Sequence, residues 1–278
     1  MNKIDPALVF LRSEDARMSL KDLSRLVKKS PQLLKYNISV LEKEGVLHDP
    51  YYIFDYSHFG LILFRVYFKG VYIKEQDKIK VITELRQNPY VLAIYDLVGE
   101  FDLAVEFAAP NPSKFNKEFK KMITANPLLK EYKIVLNIVT HIYPRHYLVN
   151  STELLTLYNQ KIVGGDREKE EFKPEEMAVL KVLLRQPTIR YTKLAKESDL
   201  NVKTVKSILH HLAKRSIIRG CKFLLDKNKL DITKSRLFLK LHNVDVEYES
   251  RLLDYLHDNP EVIQLNKTVG DWDMEIDL

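Results

Sequence analysis

Ser30–Leu47, with the sequence SPQLLKYNISVLEKEGVL, decides how this chain reads. A serine followed by a proline is a helix start: the Ser30 hydroxyl can accept a bond from an orphaned backbone N–H, and Pro31 loses nothing at the first helical position. Leu34, Ile38 and Leu41 then make one apolar stripe at helical spacing. Gln32, Lys35, Tyr36, Ser39 and Lys43 fall on the other face, with no carboxylate among them. Gly45 can close the helix in the left-handed conformation. A short, capped helix with a basic outer face fits a DNA major groove. An ordinary amphipathic surface helix has the same pattern, so this stretch alone leaves both readings open.

Working outward, Asp5–Arg12 reads as a first helix with Leu8 and Leu11 inward. Ser19 can cap a second, with Leu20, Leu23, Leu26 and Val27 as its stripe, and Val27–Ser30 is a tight turn into the third. Three helices in so short a stretch match a helix-turn-helix. Val46–Phe54 reads as a hairpin-like wing. These residues resemble the Lrp/AsnC family of transcriptional regulators. The likeness rests on Asp15-Ala16-Arg17, on Ser30, on Leu41-Glu42-Lys43-Glu44-Gly45-Val46, and on Asp55 with Gly60. It implies a winged helix that binds double-stranded DNA, followed by a βαββαβ effector domain of the RAM type.

The next block supplies that pattern. Leu61–Lys69 alternates as a strand, Ile79, Ile82 and Leu85 mark a helix, and Val91–Leu97 and Phe101–Phe107 are two more strands. Pro112–Ala125 is a second helix and Tyr132–Tyr143 a fourth strand. The order βαββαβ is ferredoxin-like. Gly99-Glu100-Phe101-Asp102 resembles the family's turn between its second and third strands, where small effectors, often amino acids, bind. The resemblance therefore assigns an amino-acid-like effector to Gly99, Phe101 and Asp102. A glycine permitting a tight turn and an Asp bracing it is the plainer reading.

After a connector, residues 148–172, which ends in a charge run and reads as a flexible tether, the chain starts again. A shift of 171 residues puts Lys35 on Lys206, Leu41 on Leu212, Asp55 on Asp226, Arg65 on Arg236, and Val98-Gly99-x-Phe101-Asp102 on Val269-Gly270-x-Trp272-Asp273. This register implies an internal duplication. The expected class is α+β: two winged helix-turn-helix domains (1–58 and 173–230), each followed by a ferredoxin-like RAM-type domain (59–147 and 231–278), the second incomplete. In the repeat, Asn201 is the cap, and Lys203, Thr204, Lys206, Ser207 and His210 join Ser30, Gln32, Lys35, Tyr36 and Ser39 as expected DNA contacts. Gly270, Trp272 and Asp273 complete the expected effector set. Lys173–Lys222 holds 12 Lys or Arg against 4 Asp or Glu, whereas residues 231–278 hold 5 against 11. The basic excess sits on the second winged helix, as a phosphate-binding face requires. The first, Met1–Pro50, counts 9 against 7.

The composition narrows the alternatives. No apolar run spans a membrane, the N-terminus does not read as a signal peptide, and Cys221 is the only cysteine, so the reading is a reduced, cytoplasmic protein. The eight histidines show no metal-ligand spacing, and no nucleophile elbow or phosphate loop stands out, so no catalytic residue, metal or cofactor is assigned. The enzymatic alternative is a protein resembling the sirohaem decarboxylases, which fuse Lrp/AsnC modules. Asp55–Phe68 offers that chemistry only His58 and Arg65. A ligand sensor without DNA is a third reading. The family's recognition-helix arginine is replaced by Asn37 and Ile208, and Gly45 by Ser216, so no base preference carries over. Leu278 aligns with Phe107, which suggests a fragment. Two covalently joined readers imply an intramolecular pseudo-dimer, able to assemble further, with an asymmetric DNA site.

Overall fold

The computed structural model describes residues 5–70, 74–242 and 246–278. Helices α1 (Pro6–Glu14), α2 (Leu20–Val27) and α3 (Pro31–Lys43) come first. Asp5 caps α1, accepting from Ala7 N at 3.1 Å, Ser19 caps α2, and Ser30 caps α3. Lys28 turns α2 into α3 with φ of 55°, and the Ser24 hydroxyl holds that turn by donating to Lys29 O at 2.6 Å. Leu8, Phe10, Leu11, Leu23 and Leu34 are buried together as the core of this unit. Each contributes roughly 1.5–3 kcal/mol by leaving water. Of the stripe expected on α2, Leu23 alone is fully buried, and Leu20 stands exposed.

Strand β1 (Leu47–Phe54) follows, then β2 (Ile62–Lys69), α4 (Glu75–Arg86), β3 (Val91–Asp96), β4 (Leu103–Ala109), α5 (Pro112–Ala125) and β5 (Glu131–Ile142). The order β3-β4-β2-β5 is the ferredoxin-like sheet. Phe64, Phe107, Phe115 and Phe119 pack between it and its helices, with Val81 and Leu85 from α4. Ile79, expected inward, is exposed on α4. After α6 (Thr152–Leu155) and β6 (Lys161–Gly164) the sequence of elements recurs. Helices α7 (Pro174–Arg185), α8 (Tyr191–Glu197) and α9 (Val202–Lys214) lead to β7 (Ile218–Leu225), β8 (Arg236–Leu239), α10 (Val246–Asp258), β9 (Gln264–Val269) and β10 (Met274–Asp277). The starts of α2 and α8, α3 and α9, β1 and β7, α4 and α10, and β4 and β10 all stand 171 residues apart (for α3 and α9, 202 − 31).

Two pairings fuse these halves. Residues Val46–Phe54 form no hairpin wing. Leu47–Phe54 make a single strand, β1, whose antiparallel partner is β7. Leu47 faces Leu225 and Phe54 faces Ile218, and since 47 + 171 is 218 and 54 + 171 is 225, the strand meets its own counterpart about a two-fold axis near Tyr51 and Lys222. The second pairing runs β5 against β9, so one sheet crosses both halves in the order β3-β4-β2-β5-β9-β10-β8.

The connector is no loose tether. Its β6 extends the edge of β5, Leu154 and Val163 are buried, Gly164 N donates to Asp55 at 2.9 Å, and Phe172 stacks on Phe59. Its charge run is partnered as well. Arg167 pairs with buried Asp55 at 3.0 Å, and Arg215, at the end of α9, donates to Glu170 and Glu176. A charge run reads as solvated only while its partners, 45 or more residues away, are out of view.

Candidate nucleic-acid interface

The two third helices carry the candidate surface. On α3, Gln32, Lys35, Tyr36 and Ser39 are all exposed, Tyr36 by 60%, with Leu33 open beside them. On α9, Lys203, Lys206, Ser207 and His210 are exposed and Thr204 is half-buried. Ser30 and Asn201 spend their oxygens on the backbone of Leu33 (3.3 Å) and Thr204 (2.8 Å), and the Ser39 hydroxyl donates to Tyr36 O. These three residues therefore set helix geometry, and the long side chains between them form the open face. No carboxylate lies on α9 and none on α3 before Glu42. Such a face attracts phosphates and places flexible donors in front of them.

The expected effector residues lie elsewhere and split in two. Gly99 and Gly270 both sit at strand turns with positive φ, 132° and 150°. A side chain at Gly270 would meet Ile134 O at 3.0 Å, so only glycine lets that turn close on β5. Asp273 braces its own turn, accepting from Leu241 N at 2.7 Å and from Lys240, while Asp102 N donates to Phe68 O. Phe101 and Trp272 turn away from these loops and are brought together in a ring cluster with Tyr67 and Phe238. Phe238 lies 4.4 Å from Trp272 and 5.2 Å from Tyr67, edge to face with the latter. Since 67 + 171 is 238 and 101 + 171 is 272, each ring here meets its counterpart from the other half.

Beside the rings lies a buried charge network that the sequence reading did not single out. Arg65, 1% exposed, pairs with Glu106 (Nε to Oε1, 3.0 Å) and with Glu275. Arg236 grips Asp277 through two bonds, at 2.5 and 2.9 Å, and Lys234 adds a third. Tyr67 and Trp272 donate to Glu275 at 2.8 and 2.9 Å, and Arg236 donates to Tyr67. Burial pushes the Asp277 carboxyl up, but Arg236 and Lys234 outweigh it and hold it well below the usual carboxylate range. The signal was present in the 171-residue register, which aligns Arg65 with Arg236 and Glu106 with Asp277.

A second buried set joins α1 to β7. Lys222 lies 2.7 Å from Glu14, which Arg145 also reaches at 3.2 Å. Burial, with Arg145 and Lys161 close by, pulls the Lys222 ammonium down to about 7. Burial works the other way on Glu14, yet the surrounding cations keep it ionised. Among the described residues no group of three His, Cys, Asp or Glu side chains is placed to hold a metal, and no helix is long and apolar enough to cross a membrane.

Residues 1–47 match the family of winged helix-turn-helix DNA-binding domains. An uncharacterised HTH-type transcriptional regulator of Pyrococcus horikoshii, PH1055, is 24% identical over 140 residues, covering 49% of this chain and 86% of that protein. The DNA-binding transcriptional activator DecR of Escherichia coli K12 is 23% identical over 132 residues, 47% of this chain and 87% of DecR. Among solved structures, the sirohaem decarboxylase NirDL with an iron-uroporphyrin III analogue matches all of this chain and 81% of its own, with a TM-score of 0.59 at 14% identity, a likeness of fold. Residues 1–47 thus match a winged helix-turn-helix DNA-binding domain, and the chain is similar to HTH-type transcriptional regulators.

Proposed function

We propose that this protein is a sequence-specific double-stranded-DNA-binding regulator in which two copies of one winged-helix and ferredoxin-like module, joined by duplication, act as an intramolecular pseudo-dimer. The observation that carries it is the pairing of β1 with β7, which relates α3 to α9 about a two-fold axis as two identical chains would be related. A two-fold pair of reading helices suits two half-sites. The outer faces differ, Gln32, Lys35 and Tyr36 against Lys203, Lys206 and Ser207, so the half-sites are unlike. Further assembly of such chains is part of the proposal. An amino-acid-like effector would act at the Gly99–Asp102 and Gly270–Asp273 turns, whose movement would be felt by Phe101 and Trp272 in the ring cluster between the halves.

The test is selection of sites from random DNA, followed by a salt titration. Two unlike half-sites in fixed order are expected, and a strict palindrome would overturn the pseudo-dimer. Replacing Lys203 and Lys206 together with alanine should reduce the slope of log affinity against log salt by about 2, near one per released phosphate contact. An unchanged slope removes α9 from the interface.

The enzymatic reading has one observation in its favour, the fold shared with NirDL along the whole chain. Against it, Tyr67, Phe101, Phe238 and Trp272 pack together between the halves, and the arginines beside them are each neutralised by a carboxylate. A chain that fails to bind any duplex would return weight to this reading.

A further inference from the structure

Arg17 lies in the turn between α1 and α2, held there by its own N–H, which donates to Asp15 Oδ1 at 2.9 Å. Its guanidinium leaves the first three-helix unit and enters the second. Nη1 donates to Pro187 O at 2.8 Å and Nη2 to Ile189 O at 3.0 Å, both in the turn between α7 and α8. The same group lies 4.7 Å from the centre of the Tyr191 ring, at the start of α8, and Lys206 on α9 takes that ring at 5.8 Å. Tyr52 of β1 also lies against Arg17. One side chain thus touches the first unit's turn, the strand pair, and the helix pair that presents α9.

The position is informative. Ala16 and Met18 correspond, 171 residues on, to Pro187 and Ile189, so the contact sits where the units face their own counterparts. The counterpart of Arg17 is Thr188, too short to return the contact and exposed in the structure. In this chain the contact is therefore made from one side only. A planar fork with two donors fixes direction as well as distance, which an ammonium does not.

We infer that Arg17 sets the separation and angle between α3 and α9 and so specifies the spacing between the two DNA half-sites. It is a positioning residue that reads no base. The inference rests on the DNA-binding function proposed above.

The full chain is tested on duplexes carrying both selected half-sites, with the spacer varied one base pair at a time. The unaltered protein should prefer one spacing about tenfold over its neighbours. In Arg17→Ala that ratio should fall to about threefold or less, while binding to each isolated half-site changes by less than about twofold. Arg17→Lys keeps the charge and loses the fork, and should resemble Arg17→Ala. In parallel, spin labels on Lys43→Cys and Lys214→Cys report the distance between the two helix ends without DNA. It should be narrowly distributed in the parent and broad in both Arg17 variants. Cys221 is buried, which raises its thiol to about 12 and keeps it out of the labelling. An unchanged spacing ratio overturns the inference, whatever the labels show. Should Arg17→Ala fail to fold, Arg17→Lys decides. A parent protein that binds no duplex overturns the DNA reading itself, and the labels then still show whether Arg17 clamps the two units.

Discussion

Where the two halves meet, several positions 171 residues apart carry unlike side chains: Arg17 and Thr188, Tyr51 and Lys222, Ala104 and Glu275. Other positions keep like ones. Asp55 and Asp226 cap the same turn, and Arg65 and Arg236 each hold a carboxylate on the neighbouring strand. A residue beside a two-fold axis faces itself in a symmetric pair, so a charge placed there meets its like. In one covalent chain the two halves are free to differ. Glu275 makes the central network come out even, with Arg65, Arg236 and Lys234 against Glu106, Glu275 and Asp277. A second such carboxylate, at Ala104, would tip it.

The largest effect should come from removing that asymmetric charge. Glu275→Ala leaves Arg65 buried with one partner instead of two and strips Tyr67 and Trp272 of their acceptor, at a cost of about 3–5 kcal/mol in chemical denaturation. Glu106→Ala, at the more open end of the network, should cost less. The reverse order would mean that the symmetric pair, and not the asymmetric member, holds the halves together.

Next in size is a pH effect from the other unlike pair on the axis. The folded state lowers Lys222 to about 7 from an unfolded value near 10.5, with burial as the main cause. Between those limits the unfolded chain binds more protons, so stability rises with pH across that window, by at most about 1.4 kcal/mol per unit. The denaturation midpoint of Lys222→Met should lack this rise when both proteins are measured at pH 7 and 9.5. Parallel curves would show that the pair is not a titrating element.

The smallest effect sharpens the comparison at a place where the copies do agree. Gly45 and Ser216 end their helices at φ of 69° and 61°. Serine is strained there, so Ser216→Gly should stabilise the second unit by roughly 0.5–1 kcal/mol, and Gly45→Ser should cost a similar amount in the first. Thermal melts of the two variants moving in the same direction would contradict equivalent backbone roles.

The helices and the ferredoxin-like order were legible because their signals are local: Asp5, Ser19, Ser30 and Asn201 caps, the Pro31 and Pro112 starts, and the alternation of β2. Val46–Phe54 was misread as a wing because its extended residues announce a strand but not its partner, which lies in β7. The tether was misread for the same reason, since Arg215 and Asp55 are distant in sequence. Of the candidate site, the exposed faces of α3 and α9 follow from helical periodicity alone. Phe101 and Trp272 read in the sequence as parts of a ligand turn, and their meeting in one ring cluster could not be seen there because the two residues lie 171 apart. Aromatic residues that match across a repeat are natural candidates for its axis, and the register already contained that hint.

The pairing of β1 with β7 also sets a timetable. On a ribosome adding about 5–20 residues per second, roughly 10–30 s separate the emergence of one strand from that of the other. Throughout that interval β1 waits with its hydrogen-bonding edge open, and a neighbouring nascent chain offers an identical strand. Asp49 and Pro50 interrupt the edge in its middle: Asp49 bends the chain with φ of 42°, the pairing register breaks between His48 and Tyr51, and Pro50 has no N–H to give. A kink in the finished ladder is thus, during synthesis, a guard on the unfinished one.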